Sequence, residues 1–183
     1  MLWLAIRQTA DAGWEASMCR RRCLCLRYKR GSDKIPFELR ILYPLPEPAR
    51  YDLIKAATRL RDGDLSGALA AACGTVESAC AKVHAEGGHG SPAGTQSFQE
   101  KVKKSLEIRG AFQTLESELI EIGWDSVEAR LLVRNLQGSL NQAAYVMQTL
   151  RSRMSDVHGS KPTLEAVVFD SLKWATIIAS LLK

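Results

Sequence analysis

The chain of 183 residues contains no run of eighteen consecutive apolar residues, although 46% of its residues are hydrophobic. A membrane-spanning helix needs about 20 mostly apolar residues, so we expect no membrane partner. The apolar start Met1–Ile6 is too short for a secretory signal and shows no cleavage signature. The cysteine count is odd, which favours free thiols in a reducing cytoplasm. Cys73 and Cys80, spaced seven residues apart on one helix face, are expected to be small core residues.

The sequence also lacks the motifs of several enzyme classes. Gly87–Gly90 has neither the preceding strand nor the Lys-Ser/Thr of a phosphate-binding loop, so no nucleotide cofactor is expected. No Asp, Glu and His cluster has metal-ligand spacing, which disfavours a two-metal nuclease. Cys19, Cys23 and Cys25 suggest zinc, but their spacing is poor and no second cysteine pair follows. We therefore expect no metal and no other cofactor.

The net charge of the chain is +5, and the whole excess of positive charge lies in its first fifty residues. Residues 1–50 hold ten Lys or Arg and five Asp or Glu, whereas residues 51–183 hold fifteen of each. The body is therefore neutral, and its charge alone does not indicate a broad nucleic-acid-binding face. A basic run near the start can contact nucleic-acid phosphates, through Arg20, Arg21, Arg22, Arg27, Lys29 and Arg30.

Helical periodicity begins near Tyr51 and continues to the end of the chain. Its apolar positions predict helices over residues 51–61, 65–85, 97–106, 111–122, 125–151 and 164–182. The three prolines of Tyr43–Pro48 forbid a helix there and predict an extended linker. We predict an all-α bundle of about five to six helices with a long penultimate helix at residues 49–183, preceded by a basic, poorly defined extension at residues 1–48. The last helix is apolar on nearly every face, which is typical of a core helix or a subunit interface.

The stretch Arg151–Gly159 brings two arginines, an aspartate and one of three histidines together between two apolar helices. Metal-free RNA cleavage needs a base for the 2′-hydroxyl, an acid for the leaving 5′-oxygen, and positive charge at the phosphorane. His158 can act as base or acid, and Arg151 can hold the phosphate with two hydrogen bonds. Arg153 can hold a neighbouring phosphate, and Asp156 can orient the imidazole. In the plainer interpretation, the arginines neutralise a helix C-terminus and the histidine lies in an ordinary turn.

Leu150–Gly159 resembles the Leu-Arg-Asn-Lys-x-Gly-Asp-x-His-Gly signature of the abortive infection C-terminal domain, a family of bacterial antiphage proteins. Asp64–Ser78 is similar to the early helix of that family, which carries an alanine-rich run ending in a glutamate. The resemblance covers roughly residues 50–183. The motif also resembles that of the HEPN superfamily, small α-bundles that dimerise around a composite cleft. Many of its members are metal-independent ribonucleases with Arg and His four to six residues apart.

The resemblance implies an antiphage effector or toxin that cleaves RNA as a homodimer, with Arg151 and His158 contributed by both copies. Arg153 also has a suitable spacing from His158, but we favour Arg151 because it aligns with the arginine of the longer signature. Ser152 stands where the family usually has Asn and can still donate and accept hydrogen bonds. Cys73-Gly74 stands where the family tends to have an arginine. The alternative is a non-catalytic helical module that only dimerises or docks a partner in a defence system.

Overall fold

The structure is a computed structural model that describes residues 14–18, 24–28, 45–88, 96–154, 162 and 164–183. The chain divides into two units, Met1–Pro44 and Leu45–Lys183. In the first unit, strand β1 (Trp14–Met18) pairs antiparallel with strand β2 (Leu24–Tyr28). The sequence pattern does not predict this pair, because two five-residue strands are too short for a clear alternation of apolar and polar residues.

The described part of the second unit is all-α, which confirms the predicted helical bundle. The penultimate helix, Ser126–Met154, has 29 residues, so the predicted long penultimate helix is also confirmed. Among the described helices, none combines the length and the apolar character that crossing a bilayer requires. The six helices are α1 (Glu47–Arg61), α2 (Leu65–Glu86), α3 (Phe98–Arg109), α4 (Ala111–Glu121), α5 (Ser126–Met154) and α6 (Glu165–Leu181).

Helix α1 begins inside the proline-containing segment that was predicted to be an extended linker, so that prediction is wrong at its end. The helix starts at Glu47, and Pro48 occupies its first turn. The first four backbone N–H groups of a helix have no partner within it, so a residue without an N–H costs little there. Proline therefore excludes a helix only when it lies beyond the first turn.

Helix α2 lies at the centre of the bundle and packs against α1, α3, α5 and α6. Its buried face consists largely of small side chains such as Ala68 and Ala72, which let the neighbouring helices approach closely. Large side chains from those neighbours fill the core, including Leu53 of α1, Met147 of α5 and Ile178 of α6. Each such burial stabilises the fold by about 1.5–3 kcal/mol. The alanine-rich helix α2 is thus the central helix against which α1, α3, α5 and α6 pack.

The helix ends follow local capping chemistry. Asp64 begins α2, because its Oδ1 accepts a hydrogen bond from the backbone N of Gly67 at 2.9 Å. Ser97 and Glu100 form a capping box at the start of α3, with reciprocal hydrogen bonds of 3.2 and 2.8 Å. Gly110 ends α3 in a left-handed conformation with φ of 64°. These caps fix the chain position at which each helix begins or ends.

Helix α5 is covered along only part of its length. Its second half buries Leu140, Ala144 and Met147, whereas its first half buries only Ala129 and Val133. The second half therefore belongs to the bundle core, and hydrogen bonds join it to α3 at Asn141 and to α2 at Arg151. The first half is joined to α4 by the Arg130–Glu116 ion pair, and the α4–α5 turn is exposed.

The last helix, α6, is a core helix. It packs against α2 and α1 and buries Val168, Leu172 and Ile178. Phe169 and Ile177 remain 42% and 45% exposed on its other side. The sequence predicted that this helix lies either in the core or at a subunit interface. Most of its apolar surface is buried inside the same chain.

Candidate functional site

Arg151 lies in the last turn of α5 rather than at the start of a loop, because the helix continues to Met154, beyond its predicted end. Its Nη1 donates a hydrogen bond of 2.6 Å to Oε1 of Glu77 on α2. The two residues are 74 positions apart in the sequence. Their side chains are 36% and 37% exposed, so the ion pair lies at the edge of the α2–α5 contact. The guanidinium is held in one place and still faces solvent.

A second contact ties the same two helices together. Ser66 of α2 donates its hydroxyl to the backbone oxygen of Met154 at 3.0 Å. This bond satisfies one of the carbonyls that the end of a helix leaves without an intrahelical partner. Both contacts join the two segments that carry the family resemblance, Asp64–Ser78 and Leu150–Gly159. The structure therefore brings Arg151 against α2.

Glu77 was not among the predicted site residues. The sequence does contain a signal that could have identified it, because Glu77 is the one carboxylate in residues 65–85, a stretch of mostly small and apolar residues. A carboxylate on such a helix needs a compensating partner or solvent. The identity of that partner is set by packing, so the sequence pattern could not supply it.

The electrostatics of the site favour a permanently charged arginine beside neutral thiols. Partial burial lowers the pKa of Arg151, but the hydrogen bond and charge of Glu77 raise it by more. Burial raises the pKa of the Cys73 thiol to about 12, although the nearby charge of Arg151 lowers it. Burial likewise raises the pKa of Cys80 to about 11. Both cysteines are buried core residues, as predicted, and their thiols lack the thiolate character of a nucleophile.

The two residues that follow Arg151 face away from Glu77. Successive residues of an α-helix are about 100° apart, so Arg153 lies about 200° around the helix from Arg151. Ser152 and Arg153 are both exposed, and the hydroxyl of Ser152 donates to the backbone oxygen of Thr149 at 2.9 Å. Of the two candidate arginines, Arg151 is the one that forms an ion pair with α2 among the described residues.

Most of the remaining predicted site residues lie outside the described part of the chain. Asp156 and His158 fall between Met154 and the start of α6, where the description has a gap. Within the described residues, no three His, Cys, Asp or Glu side chains are arranged to hold a metal ion. Arg27 lies on β2, where only the backbone is described, while the following residues are not described: Cys19, Arg20, Arg21, Arg22, Cys23, Lys29 and Arg30.

A small cavity of about 150 Å³ lies between α2 and α3, next to the ion pair. Glu77 and Lys101 both line it, with Phe98 and Cys80 among its apolar walls.

The guanidinium of Arg151 carries five N–H donors in a rigid plane, and the bond to Glu77 orients that plane. The ion pair can therefore present Arg151 as a preoriented cation to an anionic group.

The fold and the site define an all-α bundle in which an arginine at the end of the longest helix is held by a glutamate from the central helix. Comparisons with protein-family models, with curated proteins and with solved structures give no match.

Proposed function

We propose that this protein is an abortive-infection-type antiphage effector, a cytoplasmic, metal-independent endoribonuclease that acts as a homodimer through Arg151 and His158. The observation that carries this proposal is the Arg151–Glu77 ion pair of 2.6 Å. It supports the proposal because it orients the one arginine that the family signature singles out. It also connects the two separate segments on which the resemblance depends.

The chemistry follows from the roles of the two residues. His158 removes the proton of the ribose 2′-hydroxyl, and the 2′-oxygen attacks the adjacent phosphorus. Arg151 donates hydrogen bonds to the phosphorane oxygens as negative charge develops on them. The bond to the 5′-oxygen breaks, and an acid protonates that oxygen, leaving a 2′,3′-cyclic phosphate and a 5′-hydroxyl. One motif holds a single histidine, so His158 of a second copy supplies the acid.

The test is an RNA-cleavage assay in EDTA with total RNA and a labelled oligonucleotide as substrates. We expect cleavage by the wild type and a loss of about 10²–10⁴-fold in His158→Ala, the usual contribution of general acid–base catalysis. Arg151→Ala should show a loss of comparable order, because the phosphorane loses its fixed cation. His89→Ala and Arg130→Ala are matched controls for the residue types. Absence of cleavage by the wild type, or equal activity in all variants, would contradict the proposal, and inhibition by EDTA would contradict its metal-free form.

A second candidate function is a non-catalytic helical interaction module, and the exposed apolar surface at the α4–α5 turn favours it. Exposed clusters of large apolar residues mark protein–protein interaction sites. Homodimer interfaces are about 65% apolar, which is more than the rest of a protein surface, so an apolar surface of this kind suits a second copy. We call it the hairpin patch; its members are Ile120, Ile122, Trp124, Val127, Leu131 and Leu132, which are 41–75% exposed.

The hairpin patch and Arg151 lie at opposite ends of α5. Val127 and Arg151 are about 36 Å apart along the helix axis, at a rise of about 1.5 Å per residue. A dimer that contacts only through the patch therefore does not by itself bring two Arg151 sites into one cleft. A ribonuclease dimer needs a further contact near the end of α5 that carries Arg151.

Analytical ultracentrifugation of Leu131→Asp separates the two functions, with Ser139→Asp as a control for an added charge on the same exposed helix. An interaction module should become monomeric in Leu131→Asp and should cleave no RNA in any form. A ribonuclease whose cleft lies near Arg151 should keep its cleavage activity in Leu131→Asp. Cleavage that disappears together with dimerisation would show that the patch supports the active dimer.

A further inference from the structure

A larger cavity of about 290 Å³ lies between α3, α4 and α5. Its floor is formed by Val102, Leu106 and Phe112, which are only 1%, 3% and 8% exposed and so belong to the rigid core. Its polar wall combines two cationic side chains with two carboxamides and a glycine, namely Lys103, Arg134, Gln137, Asn141 and Gly138. The cavity therefore has an apolar floor and a polar wall with hydrogen-bond donors from two helices.

The charge of this cavity is of one sign. No carboxylate lines it, and neither Lys103 nor Arg134 belongs to an ion pair within the described residues. One turn earlier on α5, by contrast, Arg130 pairs with Glu116 at 3.3 Å. In a body whose charges balance overall, two cations that share a cavity without an acid create a local field that selects anions.

One of the carboxamides is already oriented. Gln99 Nε2 donates to Oδ1 of Asn141 at 3.1 Å and to its backbone oxygen at 3.2 Å. The amide oxygen of Asn141 accepts this hydrogen bond, which orients the carboxamide, and its NH₂ group can donate to a ligand acceptor. Gln137 supplies a second carboxamide one turn earlier on the same helix. Carboxamides of this kind suit the mixed donor and acceptor edges of nucleobases, while Arg and Lys suit phosphate.

We propose that this cavity binds one nucleotide unit of an RNA strand, with its phosphate on Lys103 and Arg134 and its base near Gln137 and Asn141. A volume of about 290 Å³ is close to the lower limit of about 300 Å³ for small-molecule sites, which suits one nucleotide. Asn141 and Arg151 are about 15 Å apart along α5, so the bound nucleotide lies a short distance along the strand from the cleavage position. This inference rests on the proposed function, which makes RNA the substrate.

The test measures the fluorescence anisotropy of a labelled twelve-nucleotide RNA on the full chain carrying His158→Ala, so that no cleavage interferes. Lys103→Gln and Arg134→Gln should each weaken binding about five- to tenfold. Each should also reduce the slope of log K against log salt by about 0.7, the value for one lost single-strand phosphate contact. Lys104→Gln removes the same charge from an exposed neighbour outside the cavity and should change binding less than twofold.

A second pair of variants tests the cavity itself. Gly138→Leu should reduce binding more than tenfold by filling it, because a Cβ at Gly138 meets no other atom within 4 Å and the fold can accept it. Ser139→Leu adds the same side chain one position away and should leave binding within twofold. Equal weakening in Lys103→Gln and Lys104→Gln, or no effect of Gly138→Leu, would overturn the inference. Circular dichroism melting curves confirm that each variant is folded.

Competition identifies the source of the ligand. In the protein that keeps Gly138, AMP at millimolar concentration should displace the RNA from the cavity, whereas inorganic phosphate at the same concentration should not. Equal displacement by phosphate, or AMP binding without RNA binding, would overturn the assignment to an RNA strand. RNA binding through the cavity in a protein that never cleaves RNA would refute only the ribonuclease. Cleavage that the cavity variants leave unchanged would refute only the cavity.

Discussion

Neutralising Glu77 without changing its shape tests whether the ion pair really fixes Arg151. The perturbation is a double-mutant cycle of Glu77→Gln and Arg151→Gln, which isolates the energy of the pair from other losses in each single variant. Removing either partner alone also leaves the other charge partly buried and uncompensated. The single variants should therefore each cost more stability than the coupling energy itself.

The magnitude follows from the geometry of the pair. Two unit charges about 4 Å apart attract by about 4 kcal/mol at an effective dielectric constant of about 20. The nitrogen–oxygen distance is 2.6 Å, but the side chains are 36% and 37% exposed, so solvent screens part of this attraction. Fully exposed pairs contribute about 0.2–1 kcal/mol, and loss of one partner from a buried pair costs about 3–5 kcal/mol. We expect a coupling energy of about 1–2 kcal/mol for Glu77 and Arg151.

The assay is urea unfolding of the wild type, both single variants and the double variant at low and high salt. The matched control is the pair Arg130 and Glu116, which also joins two helices but is 3.3 Å long, with side chains 73% and 28% exposed. Its coupling should fall below about 0.5 kcal/mol and should almost vanish in high salt. A coupling for Glu77 and Arg151 no larger than that of the control would refute the view that the pair holds the arginine.

Two further predictions concern stability. Gly138→Ala should stabilise the protein by up to about 1 kcal/mol through helix propensity, because its Cβ enters open space, whereas Gly67→Ala should give no gain. A Cβ at Gly67 would lie 2.2 Å from the Asp64 carboxylate and so displace the cap of α2, a loss of about 1 kcal/mol that thermal melting should reveal. Burial raises the pKa of the Cys73 thiol from 9.0 to about 12 and that of the Cys80 thiol to about 11. The neutral thiols therefore contribute fully to the free energy of unfolding below pH 9, and this contribution is lost as the pH rises from 9 through the folded-state pKa values. Between pH 8 and pH 10 the wild type should lose about 3 kcal/mol relative to a variant with both cysteines changed to alanine, and parallel urea-unfolding curves would contradict this.

Local rules explain why the helices could be predicted from the sequence. Periodic apolar residues and the caps at Asp64, Ser97 and Gly110 act within a few residues, so a linear pattern contains them. The start of α1 was misplaced because the tolerance of Pro48 depends on its position within the first turn. Cys73 was correctly assigned to the core because it lies on the apolar stripe of a strongly periodic helix.

The candidate site was only partly predictable. The motif around Arg151 made both Arg151 and Arg153 candidates, and their spacing from His158 allowed either. Which of the two pairs with α2 depends on the helix, because α5 continues for three residues beyond Arg151 and places Arg153 on another face. Glu77 is 74 residues earlier, and no local rule connects it with Arg151.

The sequence by itself determined that the second unit forms an all-α bundle with a long penultimate helix, since helix formation depends on periodicity and capping over short distances. Only the tertiary structure decided which charges meet and which apolar residues stay uncovered. It paired Arg151 with Glu77, left Leu131 exposed beyond the bundle, and placed Lys103 beside Arg134 without a carboxylate. These outcomes depend on how separate helices pack against one another, and a linear pattern does not contain that information.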